Sequence, residues 1–184
     1  MTFCVLENFP EELHNRLVDI WKKDKWKEIT NANPDMKHYH LSRDDEIFNE
    51  FPFVSAIQYY ETTPHSNASP HLDRGRWCAI NVPIIVDTEK SCFLSGKYFQ
   101  LTKYRSKEVA NYAFTTNEDG PKGKFYEDEE LFNYYNLKKP IIFSTKVPHG
   151  YRNAADTKRV LCSITFRPSK KWEEMIHIIP QQWY

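Results

Sequence analysis

The chain has 184 residues, a length that suits a single domain with a sizeable buried core. Lysine plus arginine and aspartate plus glutamate balance at 25 each, so no global field favours nucleic acid or an anionic membrane as partner. Aromatic residues make up 15% and glycine is scarce, a composition that excludes a disordered or low-complexity chain. No apolar stretch reaches the length of a membrane span, and MTFCVLENFPEELHNRL lacks a basic region followed by an apolar core. Cys4, Cys78, Cys92 and Cys162 are widely spaced with no CxxC pair, which reads as four reduced thiols in a cytoplasmic protein. On that reading Asn67-Ala68-Ser69 is a chance match to a glycosylation acceptor.

Residues 9–26 are predicted to be a helix: Pro10 suits the first helical position, Glu11 and Glu12 suit the positive end, and Leu13, Leu17, Ile20 and Trp21 form one stripe. From Ile29 to Asn49 the periodicity is weak, so residues 1–50 read as a helical and irregular cover. His38-Tyr39-His40 in that stretch is either an H-x-H metal pair on a strand or two solvent-exposed histidines, and the second is the expectation. Strands are predicted at Phe53–Tyr60, Trp77–Val86, Pro140–Lys146 and Arg159–Phe166, all β-branched and aromatic. Without intervening helical repeats they favour an antiparallel barrel or sandwich. The core is expected over 53–167 with an insertion at 97–139, and 168–184 as a C-terminal extension.

Alternation within the strands sorts their side chains into two faces. Val160, Cys162, Ile164 and Phe166 share one face, as do Cys78, Ile80, Val82 and Ile84. Both rows are apolar, and the N-terminal helix is the expected cover. The opposite faces carry Arg159, Leu161, Ser163 and Thr165, and Trp77, Ala79, Asn81 and Pro83, which are expected to line a pocket. The insertion begins basic and aromatic (Tyr98, Phe99, Lys103, Tyr104, Arg105, Lys107) and turns acidic. It reads as a solvated hairpin in preference to a grip for single-stranded nucleic acid.

His71-Leu72-Asp73 alone is a weak signal that a capped turn would also produce. His149, at the expected end of a strand-like segment, supplies a second imidazole, and two imidazoles with one carboxylate are the ligand set of non-haem Fe(II) sites with open positions. Arg159 opens the last strand ten residues later, where a guanidinium on the pocket face can hold a carboxylate in a bidentate fork.

Together HLDRGRWCAINVPI and VPHGYRNAADTKRVLCSITF resemble the Fe(II)/2-oxoglutarate-dependent dioxygenases, in particular their aspartyl/asparaginyl hydroxylase-like and phage-type members. The resemblance spans roughly residues 53–167 and includes the H-x-D, the trailing strand with Asn81 and Pro83, the distal His149-x-x-x-Asn153 and Arg159. It implies a mainly β fold, a double-stranded β-helix (jelly-roll, cupin-like) core with flanking helices. It also implies His71, Asp73 and His149 as iron ligands, and Arg159 on the distal carboxylate of 2-oxoglutarate. Asn81, Ser163, Gln58 and Tyr60 are the further co-substrate candidates, and Leu161 stands where some relatives place a serine. Arg76, Trp77 and Asn153 are candidate substrate contacts, Arg76 being either a ligand for an anionic substrate or a solvated turn residue like Arg74. The implied activity is hydroxylation of an amino acid side chain or small molecule, consuming O2 and releasing succinate and CO2, with ascorbate as an in vitro aid. The substrate is expected to be a small molecule or a polypeptide, with nucleic acid disfavoured and no membrane partner. The alternatives are a cupin-like metalloenzyme that does not use 2-oxoglutarate and a non-catalytic jelly-roll binding module.

Overall fold

The computed structural model describes residues 2–23, 26–29, 35–71, 73, 76–96 and 132–184. Pro10, in an extended conformation, is the cap of helix α1 (Glu11–Lys22) and not its first residue. Leu13, Leu17, Ile20 and Trp21 form its buried stripe, as their spacing predicts. The strands described are β1 (Phe3–Val5), β2 (Trp26–Ile29), β3 (Met36–Leu41), β4 (Val54–Thr62), β5 (Asn67–His71), β6 (Cys78–Ile85), β7 (Ser91–Gly96), β8 (Phe132–Tyr135), β9 (Ile141–Ser144), β10 (His149–Asn153) and β11 (Arg159–Phe166). A short helix α2 (Trp172–Ile178) and a 3-10 turn at Gln181–Trp183 end the chain. No helix among the described residues is long and apolar enough to cross a membrane.

The strands pair antiparallel in two sheets: a seven-stranded sheet in the order β1-β9-β6-β11-β4-β3-β2, and a four-stranded sheet in the order β5-β10-β7-β8. This is the two-sheet jelly roll, the double-stranded β-helix. Residues 1–50 contribute more than a cover, because β1, β2 and β3 are strands of the large sheet. Weak periodicity hid them: they are short or lie towards the edge, where one face need not be apolar. Of the expected insertion, 97–131 lies outside the described residues, with the basic-aromatic stretch, and the rest begins with β8, paired to β7.

The large sheet separates its two faces as alternation requires. Cys78, Ile80, Val82, Val160, Cys162, Ile164 and Phe166 are fully buried in one cluster with Leu13, Leu17, Ile20 and Trp21. Each such aliphatic side chain contributes about 1.5–3 kcal/mol through burial. Helix α1 is only half of the cover, since Trp172, Met175, Ile179 and Trp183 from the C-terminal segment join the same cluster. Tyr59 fastens helix to sheet by donating its buried hydroxyl to the Leu17 carbonyl at 2.9 Å.

The other face of the large sheet looks towards the small sheet, and register arranges its side chains in rows. Asn81 stands opposite Ser163, which stands opposite Gln58, which stands opposite His40. One step along, Leu161 stands opposite Tyr60, and Tyr60 opposite His38. A further step brings Arg159, Thr62 and Met36 into line. These rows form one wall of the cavity between the sheets.

Candidate active site

The cavity between the sheets measures about 310 Å³. Its metal-ligating candidates come from the small sheet. His149 opens β10, where it pairs with β7 on one side and stands across from His71, the last residue of β5, on the other. The sequence expectation that His149 ends a strand is therefore corrected, because the 145–148 turn intervenes between β9 and β10. Asp73, two residues beyond the end of β5, is held by that turn. Its amide donates to the Thr145 carbonyl at 3.2 Å, and the Asp73 carbonyl accepts from Lys146 Nζ at 3.0 Å.

His149 is 5% exposed and sits against Phe143 and Phe93, ring centroids 5.0 and 6.4 Å away. Its Nδ1 lies 2.9 Å from the Val147 carbonyl, which can only accept, so Nδ1 is the donor, and in the neutral ring it is Nε2 that carries the lone pair. That Nε2 faces Asp73 Oδ2 at 3.4 Å. A charged hydrogen bond would draw such a pair to about 2.7–2.9 Å. Two electron-rich atoms held face to face at this longer separation fit a cation between them. Fixing the ring through the outer nitrogen is also how histidines are oriented towards metals. The donor set is one that suits Fe(II), with carboxylate oxygen and imidazole nitrogen.

Arg159 comes from the opposite sheet. It is 2% exposed and among the largest fully buried side chains. Its Nε has no hydrogen-bond partner, and no carboxylate among the described residues pairs with its guanidinium. Tyr151, two residues after His149, lies under it with the guanidinium carbon 4.5 Å from the ring centroid. Burial lowers its pKa from 12.5 to about 10, with Tyr151 and Cys92 acting in the opposite direction. A buried guanidinium is retained in proteins when a carboxylate or phosphate completes it. The orphaned nitrogen and the cavity beside it fit the distal carboxylate of 2-oxoglutarate.

The remaining sequence candidates divide. Asn81, Ser163 and Tyr60 line the cavity with Arg159, as strand parity predicts. Gln58 belongs to the same face but not to the lining, because its side chain accepts from Tyr60 Oη at 3.0 Å and lies 2.6 Å from His40 Nε2. Arg76 also lines the cavity and is bound to Asp73, so it is not a solvated turn residue. Trp77 is 38% exposed and packs under Lys146, outside the cavity. Asn153 is fully engaged away from it, accepting from Ser91 Oγ at 2.8 Å and donating to the carbonyls of Thr63 and Thr157 at 3.0 and 3.1 Å. Neither Trp77 nor Asn153 lines the cavity. Arg74 lies outside the described residues.

The sequence reading also missed part of the wall. His38 is not solvent-exposed: it lines the cavity, stacks on Tyr60 with centroids 4.5 Å apart, and has a buried Nε2 with no partner. Burial lowers its pKa to about 4, helped by His40 and Arg76. Parity would have found it had β3 been recognised, since His38 and His40 share the face of Tyr60 and Gln58. Phe93 and Tyr151 were missed because β7 and β10 are short.

No protein-family model matches the chain, and no curated protein matches it. Solved structures do. HygX from Streptomyces hygroscopicus, determined with nickel and 2-oxoglutarate bound, superposes with a TM-score of 0.60 at 11% identity, covering 91% of this chain and 83% of its own. A 2OG-Fe(II) oxygenase family oxidoreductase from Burkholderia pseudomallei gives 0.57 at 10% identity, covering 89% and 81%. A prolyl-4-hydroxylase from Pseudomonas putida gives 0.54 at 11%, covering 90% and 91%. At such identities the likeness establishes architecture: the chain has the jelly-roll, double-stranded β-helix fold of these solved structures.

Proposed function

We propose that the protein is a non-haem Fe(II)- and 2-oxoglutarate-dependent oxygenase that hydroxylates an amino acid side chain or a small molecule. The observation that carries this reading is Arg159, a buried guanidinium with an orphaned nitrogen, in the same cavity as Asp73 and His149. A cupin-like metalloenzyme working without 2-oxoglutarate has no use for that charge. The fold shared with HygX and the Burkholderia and Pseudomonas proteins supports the reading.

His71, Asp73 and His149 would hold Fe(II), and Arg159 would hold the distal carboxylate of 2-oxoglutarate. When bound, the metal would supply the chemistry by which one atom of O2 ends in succinate, with loss of CO2, and the other in the hydroxyl of the product. The chain itself prepares the site. The Val147 carbonyl keeps the proton of His149 on Nδ1, so that Nε2 stays a ligand. Phe93 and Phe143 wall off His149 from water. Asn81 and Ser163, opposite one another on β6 and β11, offer hydrogen bonds two steps along the wall from Arg159, and Tyr60, opposite Leu161, stands in the row between. Because Asp73 is present as a ligand-type carboxylate, no position is left for a halide, which favours hydroxylation over halogenation.

The test is release of succinate from 2-oxoglutarate in the presence of Fe(II), ascorbate and O2. Slow turnover without substrate is expected, and its loss in Arg159→Ala. No succinate from protein with the metal demonstrably bound would overturn the proposal. Full turnover in Arg159→Ala would remove the assignment of Arg159 to the co-substrate.

A further inference from the structure

Arg76 lines the cavity, yet the proposed chemistry leaves it unused. Its guanidinium aims two donors at a single oxygen, Nε at 2.7 Å and Nη2 at 2.6 Å from Asp73 Oδ2. This is the oxygen that faces His149 Nε2 at 3.4 Å. Nε donates a hydrogen bond to that oxygen, and Nη2 adds a close ion-pair contact to it. The contact is sheltered, with the two side chains 20% and 14% exposed, so it is worth more than a surface ion pair. The backbone leaves Arg76 little freedom: its carbonyl accepts from Thr145 Oγ1 at 2.8 Å, and the Trp77 carbonyl accepts from the Thr145 amide at 3.0 Å. Asp73 is moreover the only acid among the described lining residues, so Arg76 has no second carboxylate there to turn to.

We propose that Arg76 is a stand-in cation for the metal, and hence a positioning residue that sets metal affinity from the competing side. In the metal-free protein it neutralises Asp73 Oδ2 and keeps that oxygen aimed at His149. A divalent ion that takes the same oxygen competes with the Arg76 Nε hydrogen bond and the Nη2 ion-pair contact, and then lies beside a fixed positive charge. Both effects weaken the ion's hold, while the preset carboxylate removes the need to reorient Asp73 on binding. Arg76 thereby holds the site closed to weakly binding cations and ready for a strongly binding one. The inference rests on the reading of Asp73 and His149 as metal ligands.

The experiment is titration with Mn(II), following the free ion by electron paramagnetic resonance, on wild type, Arg76→Gln, Arg76→Lys and His149→Ala, with a thermal melt of each metal-free protein. Arg76→Gln is expected to bind Mn(II) about ten-fold more tightly than wild type, the scale of one charge-assisted hydrogen bond no longer opposing the ion. The metal-free variant should melt lower, because Asp73 loses its sheltered contact with the Arg76 guanidinium. Arg76→Lys keeps the charge but cannot place two donors on one oxygen, and should fall between the two; it answers the question alone if Arg76→Gln does not fold. Affinity equal to or weaker than wild type in the folded variants would overturn the stand-in role while leaving the metal reading intact. Wild type that binds no Mn(II), or His149→Ala that binds it as well as wild type, would overturn the metal reading and this proposal with it.

Discussion

Replacing Arg159 with methionine should make the protein more stable and at the same time unable to hold 2-oxoglutarate. The lowering of its pKa from 12.5 to about 10 corresponds to about 3 kcal/mol against the charged form in its buried site. Methionine removes that cost and keeps most of the apolar stem. The loss is the stacking of the guanidinium on Tyr151, worth about 1–2 kcal/mol when desolvated. The balance is a gain of about 1–2 kcal/mol, within the range seen when buried charges give way to apolar residues. For a chain of this length that raises the melting temperature by about 2–8 °C. The assay is a pair of melts, without ligand and with Mn(II) plus 2-oxoglutarate. Wild type should rise on adding 2-oxoglutarate to the metal-loaded protein, and Arg159→Met should start higher and not move further. A variant that melts below wild type, or keeps the whole 2-oxoglutarate shift, would refute the assignment of Arg159 as an unpaid carboxylate partner.

Asn153→Ala should cost about 2–3 kcal/mol by urea unfolding, since it abandons buried partners on Ser91, Thr63 and Thr157, yet leave Mn(II) affinity within about two-fold. Tyr59→Phe should cost about 1 kcal/mol with no change in metal binding, because the hydroxyl's bond to the Leu17 carbonyl and its contact with Cys162 are lost, both on the core face. The His38 imidazole is held neutral, its pKa lowered from 6.5 to about 4, so the unfolded chain takes up a proton there before the folded one does. That contribution is complete above pH 6.5 and is lost as pH falls towards 4. Because His38 is partly and not fully buried, it amounts to about 1–2 kcal/mol. Urea midpoints at pH 7 and pH 4.5 should therefore differ less in His38→Phe than in wild type, and equal differences would remove His38 as the cause.

The sequence was most legible where one physical rule acts alone. The strand Arg159–Phe166 is found with the boundaries its alternation predicts, and its two faces separate core from cavity because a strand has no other way to place a polar row. Helix α1 follows from a single apolar stripe. Strands β3, β7 and β10 were not legible, because a short strand whose neighbours supply the burial carries no periodic signal of its own. That gap is what misplaced His38 and His40 on the surface. Asn153 shows the converse error: a residue at a suggestive spacing from His149 turned out to serve the loop at 154–157 and the Thr63 carbonyl. Spacing along the chain reports which residues are near; only hydrogen-bond accounting reports which are already occupied.

The two halves of the site belong to different sheets: His149 and Asp73 hang from the four-stranded sheet and its connections, and Arg159 from the seven-stranded one. Neither sheet alone can grasp a molecule that reaches from one to the other. A dicarboxylate spanning that distance would act as a removable rivet through the sandwich, holding the two layers at a set spacing. Amide hydrogen exchange should then slow together in β10 and β11 when it binds, although those strands share no hydrogen bond in the described sheets.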